Sequence, residues 1–361
     1  MAFTIPSNLQ LKHLKSLAFQ CGIASSGTKA LLTSRLQHEI SSAAPAAATI
    51  THHVRRPRGS DPIRILSIDM GIRNLAYCLL ELPPAPGGIV VAAPAAALPT
   101  LAAWRRTAVS SAPIPSLDTG ASAATPLAKE AFDPPALSRL AHDLLTATLL
   151  PLAPTHILIE RQRFRSMGRA QILEWTVRVN TLEAILHAIL HTLRARDLWA
   201  GHVIPIAPGK VGPFWLGGEA ADDALAGAGA GVGAVAVAVA SRERKKTRNT
   251  KSAKLLNKGA KIDLVASWLE TRDMIRIGTE QADGTAQAYL ERWHRLPGRK
   301  AGKTVATGTG LRSMGEKTVE EMGKLDDLAD CLLQGMAWVQ WERNKALVLE
   351  KGVRALHLGS I

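Results

Sequence analysis

Acidic residues stand at three places in this chain where a carboxylate is expensive to keep. Asp69 closes the apolar run IRILSID, and Glu160 closes a second one, HILIE. A charge at the end of a buried strand costs free energy unless it has a chemical role. An aspartate before Gly71 also suits a turn, and a strand-end glutamate can pair with Arg161 or Arg163. The third place is KLDDLAD, where Asp326, Asp327 and Asp330 fall within about one helical turn. Asp330 shares a helix face with either partner, and like charges so placed repel by about 0.2–0.5 kcal/mol per pair. A helix dipole favours acids at its start, which is the plainer account of that cluster. The three sites together point instead to a shared cation. Carboxylates without a His/Cys set suit hard ions, so Mg²⁺ or Mn²⁺ is implied over zinc. Two such ions about 4 Å apart generate hydroxide, orient a phosphodiester and stabilise the leaving 3′ oxygen. This is nuclease chemistry, which needs neither a serine nucleophile nor a histidine triad.

The elements that must position these acids are legible in the hydrophobic pattern. Ile63 to Asp69 alternates as a strand, and Leu75 to Leu82 returns after the short turn Gly71-Ile72-Arg73-Asn74. A third strand is expected around Leu101 to Val109. Pro135 to Leu150 has helical periodicity, and THILIE is a short apolar run typical of a buried central strand. A long amphipathic helix is expected over Gly168 to Arg196, a strand over His202 to Ile206, a helix ending near Glu270, and a last helix over Lys324 to Lys345. The order βββαβαβα predicts an α/β domain.

Charge says what such a site acts on. The 361 residues carry 44 Lys and Arg against 30 Asp and Glu, a net +14, which predicts an anionic partner, with nucleic acid foremost. Residues 241–261 hold nine basic side chains against Glu243 alone, more than half of that excess. With 47% hydrophobic residues the chain can bury a substantial core. Cys21, Cys78 and Cys331 are far apart, so neither a disulfide framework nor a zinc ribbon is indicated, and a reducing compartment fits. Ala226 to Ala240 lacks leucine and aromatics and reads as a low-complexity insert rather than a membrane span. No membrane and no small-molecule substrate is expected.

Before the catalytic region, Leu9, Leu11, Leu14 and Leu17 give one helical face, Cys21-Gly22 ends it, and a second helix carries Leu31, Leu32, Leu36 and Ile40. This run resembles the SAP motif, a helix-extended loop-helix that binds DNA, with Lys29 at a DNA-facing place. A leucine-rich hairpin that docks on the main domain or on another protein is the alternative. The expected organisation is a SAP-like module over 1–41, a linker over 42–61, a catalytic domain over 62–350 with low-complexity inserts near 83–99, 217–240 and 276–320, and a tail over 351–361.

The blocks IRILSIDMGIRNLAYCLLE, ILIERQRFRSMG and KLDDLADCLLQGMAW, in that order, resemble the fungal mitochondrial Holliday-junction resolvases, relatives of bacterial RuvC. The resemblance implies an RNase H-like fold, a mixed five-stranded sheet flanked by helices. It implies metal ligation by Asp69, Glu160, Asp327 and Asp330, with Asp326 the alternative to Asp327 and the DLAD spacing favouring Asp327. It further implies a homodimer that makes paired symmetric nicks across a four-way DNA junction with two Mg²⁺ or Mn²⁺ ions per site, in mitochondria. The acid-free N-terminus permits import, although the SAP-like reading claims the same residues.

Arg161, Gln162, Arg163 and Arg165 follow Glu160 directly and are candidates for phosphate contact, with Phe164 a stacking or core residue. Lys210, Lys254, Lys258 and Lys261 are further backbone-contact candidates. Ile172, Trp175, Val179, Leu182, Ile185, Leu186 and Ile189 form a stripe that serves a dimer, the sheet, or both. Two other functions compete: a noncatalytic RNA-binding splicing cofactor of the same fold, which loss of the acids would favour, and a DNA-organising SAP protein, which explains the charge but not the carboxylates.

Overall fold

The structure, a computed structural model, describes residues 3–42, 62–83, 97–109, 132–162, 173–217, 250–296 and 325–356, with side chains omitted over 250–257. Helices α1 (Leu11–Gln20) and α2 (Lys29–Ser42) precede a mixed sheet. Its strands are β1 (Ile63–Asp69), β2 (Leu75–Leu82), β3 (Thr100–Thr107), β4 (His156–Glu160), β5 (His202–Ile206) and β6 (Arg276–Ile277), in spatial order β5-β4-β1-β2-β3-β6. Strands β1, β2 and β3 form an antiparallel meander, β4 and β5 add in parallel beside β1, and β6 pairs in parallel with β3. The remaining helices are α3 (Pro134–Asp143), α4 (Glu174–Ala195), α5 (Pro208–Leu216), α6 (Thr250–Thr271), α7 (Glu280–His294) and α8 (Leu325–Lys351).

Period-two alternation sorts the sheet into two faces. Leu66, Ile68, Leu75, Tyr77, Leu79, Ile157 and Ile159 point toward α3 and α4. Ile63, Ile65, Ala76, Cys78, Leu80 and Leu158 point toward α5 to α8. Ser67, Asp69 and Glu160 fall in the second register, so both strand-end carboxylates must face α8. Helix α8 lies very close to the sheet: a Cβ at Gly335 would meet Leu80 Cδ1 at 2.9 Å and Ser67 Cβ at 3.2 Å.

Helices α1 and α2 pack on the far end of α8, where Leu14, Leu17, Leu32, Leu36 and Ile40 enclose Val348 and Val353. Asn344 Nδ2 donates to Gln20 O at 2.6 Å, and Lys210 Nζ donates to Gly22 O at 2.6 Å. The expected hairpin therefore docks on the main domain. Gly22 ends α1 at φ +66°, and a Cβ there would lie 2.3 Å from the Trp341 ring. Gly22→Ala is expected to lower stability by about 1–3 kcal/mol, through left-handed strain and overpacking, and the melting temperature by several degrees. A thermal scan checks it; an unchanged midpoint contradicts the docking.

The sheet has six strands where five are expected. The extra one, β6, is two residues long, too short to leave a period in the sequence. It opens the segment read as a low-complexity insert from 276, whose first part is instead β6 and α7. Gln281 of α7 continues that edge, accepting from Trp104 N at 3.2 Å and donating to Trp104 O at 2.8 Å. Among the described residues no helix is long and apolar enough to cross a membrane, and all three cysteines are buried free thiols. The stretch 226–240 lies outside the described residues.

Candidate active site

Strand register sets one transverse row across the sheet end. Asp69 pairs with Ala76, Ala76 with Arg106, and Glu160 with Ile206. Parallel pairing of Ile68 with Ile159 makes Asp69 and Glu160 the next neighbours in the ladder. The small Ala76 between Asp69 and Arg106 leaves space above the row, and the first turns of α8 cover it. Asp327, Asp330 and Gln334 share one face of α8 by their spacing. Gln334 Nε2 reaches down to Ser67 Oγ and Ile68 O, each at 3.1 Å, in a fully buried setting. Trp104 Nε1 donates to Leu328 O at 3.1 Å, a second tie that fixes the height of α8 over the strands.

The Asp69 carboxyl is pushed well above its ordinary pKa, first by burial and then by the neighbouring Glu160, Asp330 and Asp327 charges. Glu160 is also raised, first by burial, and it lies within hydrogen-bond reach of the Asp69 carboxyl. Two carboxylates this close and this poorly solvated repel each other, so ionising both is costly. Gln162 Nε2 donates to Glu160 Oε2 at 3.1 Å, while Gln162 N donates to Glu183 Oε2 at 2.9 Å. Gln162, expected on a phosphate, thus aims the glutamate.

Each aspartate at the start of α8 has its own cation. Arg106 Nε donates to Asp327 Oδ2 at 3.0 Å, and Arg106 also bonds Asn74 of the β1–β2 turn. Lys258 pairs with Asp326, and Lys261 Nζ lies 2.7 Å from Asp330 Oδ1. Asp327 and Asp330 act on the Asp69 carboxyl, whereas Asp326 turns to Lys258. As they stand, no three acidic, histidine or cysteine side chains among the described residues converge into a ready-made metal cage. The donor chemistry nonetheless fits a hard divalent cation. Asp69 and Glu160 are neighbours at the sheet end and Asp327 and Asp330 act on Asp69, a like-charge cost that a cation would offset.

Of the expected acids, Asp69 and Glu160 are neighbours at the sheet end, Asp327 and Asp330 are near enough to act on Asp69, and Asp326 turns to Lys258. Lys258 and Lys261 sit on acids of α8, and Lys210 is tied to Gly22. Lys29 Nζ donates to Ser7 O at 3.1 Å in the N-terminal module, far from the row. Arg161 stands at the end of β4 with an exposed side chain, its N–H bonded to Ile206 O at 2.8 Å. Arg163, Phe164 and Arg165 lie outside the described residues, as does the Lys254 side chain. Of the α4 stripe, Val179, Leu182 and Leu186 are buried on the sheet and Ile185 and Ile189 partly so, Trp175 is half exposed, and Ile172 lies outside the described residues. Sequence reading missed Arg106, Asn74, Ser67 and Gln334. A basic pair on a strand (Arg105-Arg106) and a glutamine in an apolar helix were the available signals.

A family model described as mitochondrial resolvase Ydc2 / RNA splicing MRS1 matches residues 65–348. The chain is 44% identical over 68 residues to the mitochondrial cruciform cutting endonuclease 1 of Schizosaccharomyces pombe (strain 972 / ATCC 24843). That segment is 19% of this chain and spans only 26% of the relative's length. The crystal structure of the yeast mitochondrial Holliday junction resolvase Ydc2 superposes with a TM-score of 0.50 at 22% identity, covering 93% of this chain and 95% of that one. The likeness is one of fold alone, a mixed sheet flanked by helices. With the family model spanning the sheet and the helices that flank it, the chain belongs to the mitochondrial resolvase Ydc2 / RNA splicing MRS1 family.

Proposed function

We propose that this chain is a mitochondrial structure-selective endonuclease that resolves four-way DNA junctions by paired symmetric nicks. The observation that carries the reading is the placement of Asp69 beside Glu160 at one sheet end, with Asp327 and Asp330 of α8 near enough to act on the Asp69 carboxyl. A splicing cofactor that only binds RNA has no need of these acids at the sheet end. The proposed organisation is a SAP-like module over 1–41 that grips a DNA arm and a catalytic domain over 62–350. The proposed active form is a homodimer, because paired nicks require two sites related by two-fold symmetry. Exposed Leu173, just before α4, and Trp175 and Val177 on it support that helix as the pairing face.

Asp69, Glu160, Asp327 and Asp330 would hold two Mg²⁺ or Mn²⁺ ions, which when bound supply a hydroxide nucleophile and stabilise the leaving 3′ oxygen. The chain's own side chains arrange this. Gln162 orients Glu160, Arg106 orients Asp327, and Gln334 and Trp104 fix α8 so that Asp330 stands over Asp69. Basic residues of 241–261 and Arg161, Arg163 and Arg165 would take the backbone, and phosphate contacts of that number make binding fall steeply with salt.

The test is cleavage of a synthetic four-way junction by the purified full chain with Mg²⁺ or Mn²⁺, beside linear duplex and a structured intron RNA. Junction-selective nicking supports the reading. No cleavage with any divalent metal overturns it, and tighter binding to the RNA than to the junction favours the splicing function instead.

A further inference from the structure

Arg106, Lys258 and Lys261 neutralise the three aspartates of α8, but they are not equivalent. Arg106 is held from two sides, by Asp327 and Asn74. Lys258 is exposed and holds Asp326, which does not act on Asp69. Lys261 holds Asp330, whose charge acts on both Asp69 and Glu160. Its stem passes beside α5 at Gly212, where an added Cβ would lie 3.5 Å from Lys261 Cε.

We propose that Lys261 is a displaceable counter-ion of the active site, which gives up Asp330 to a divalent cation and passes to a non-bridging oxygen of the scissile phosphate. The proposal rests on the nuclease reading of the site. A divalent ion on Asp330 puts two positive centres side by side, and their repulsion drives the ammonium off the carboxylate. Lysine suits the exchange, being a compact charge on a flexible stem with rotatable donors, where a guanidinium would grip the carboxylate by a planar fork. The arriving phosphodiester supplies the anion that the ammonium has lost. Metal loading and phosphate capture therefore help each other, as any such linkage must be reciprocal. Asp330 is paired with Lys261 of α6, and the exchange releases it to the competing cation.

The experiment is a calorimetric Mn²⁺ titration of the full chain without DNA, comparing wild type, Lys261→Met and Lys258→Met, followed by junction cleavage at saturating Mn²⁺. Lys261→Met is expected to bind Mn²⁺ about two- to fivefold tighter, the scale of a partly exposed ion pair, and to cleave about 10- to 100-fold more slowly. Lys258→Met is expected to bind the metal as wild type does. A merely structural lysine would not move these two readouts in opposite directions. Lys261→Gln serves as the second variant should the Met form unfold. Unchanged or weaker Mn²⁺ binding in both Lys261 variants, or undiminished cleavage, overturns the inference while leaving a cleaving wild type intact. Failure of the wild type to bind Mn²⁺ overturns the nuclease reading and the inference with it.

Discussion

Asp69→Asn is expected to lower junction cleavage by about 10³-fold or more, about 4 kcal/mol of transition-state stabilisation, while junction binding is retained. Asp69 occupies the centre of the transverse row, between Glu160 and the space above Ala76, and has Asp327 and Asp330 over it. An amide there keeps the size and hydrogen bonding of the carboxyl but removes the charge that a divalent cation needs. Affinity for the junction is expected to survive because the substitution leaves the proposed phosphate-binding bases in place.

The same substitution has an expected sign on stability. Burial and three neighbouring acids raise the folded-state pKa of Asp69, so the folded protein binds more protons than the unfolded chain. Stability is then lost as pH rises from the unfolded carboxylate value, about 4, through the raised folded value. Without added metal, Asp69→Asn is expected to melt higher than wild type at neutral pH and to be less sensitive to rising pH. Added Mg²⁺ is expected to raise the melting temperature of wild type more than that of the variant. Thermal scans at pH 5 and 8, with and without Mg²⁺, read both signs. Equal melting of the two proteins at pH 8 contradicts a crowded acidic row.

Trp104→Ala is expected to cost about 3–5 kcal/mol of stability, since Trp104 is the largest fully buried side chain among the described residues. Its ring is fully buried on the α8 side of the sheet, 5.1 Å between centroids from Tyr289 of α7. Removing it opens a cavity that backbone-anchored β3 cannot close. The effect extends to the site, since Trp104 Nε1 satisfies Leu328 O, one residue beyond Asp327. Arg106 lies two residues along the same strand face and would lose its line to Asp327. Trp104→Phe restores most of the packing but not the indole N–H. It is expected to recover most of the stability and less of the cleavage rate, a split visible by pairing urea unfolding with single-turnover cleavage. Equal recovery of both would place Trp104 in the core alone.

The sheet was legible because its strands announce themselves by composition and period. HILIE and IRILSID each carry an apolar run that ends in an acid, so their parallel pairing brings those acids together. The face on which they meet follows from alternation alone, since Ser67, Asp69, Leu158 and Glu160 share the parity of the α8 side. Helix α8 was legible from DDLAD and the tryptophans behind it, but its end was not. The helix continues to Lys351 because α1 and α2 cover Val348, a contact more than 300 residues away in sequence. Strand β6 escaped because two residues carry no period. Arg106 escaped for a different reason, and Lys258 and Lys261, read as backbone-contact candidates, gave no sign of their acidic partners: all three look like any surface base until the register of β3 and the docking of α6 set them against α8. Asp326 and Asp327 illustrate the limit well. Adjacent and identical in type, they differ only in which way α8 turns them, and that orientation is fixed by Gln334 and Trp104.

The most direct measurement is the position of cleavage on a four-way junction labelled in turn on each of its four strands, with wild type and Asp69→Asn in Mg²⁺. The account predicts two nicks at symmetry-related positions on opposing strands, with 5′-phosphate ends that ligase reseals, and none from the variant. Intact strands under wild type, or cleavage that persists undiminished in Asp69→Asn, would contradict it.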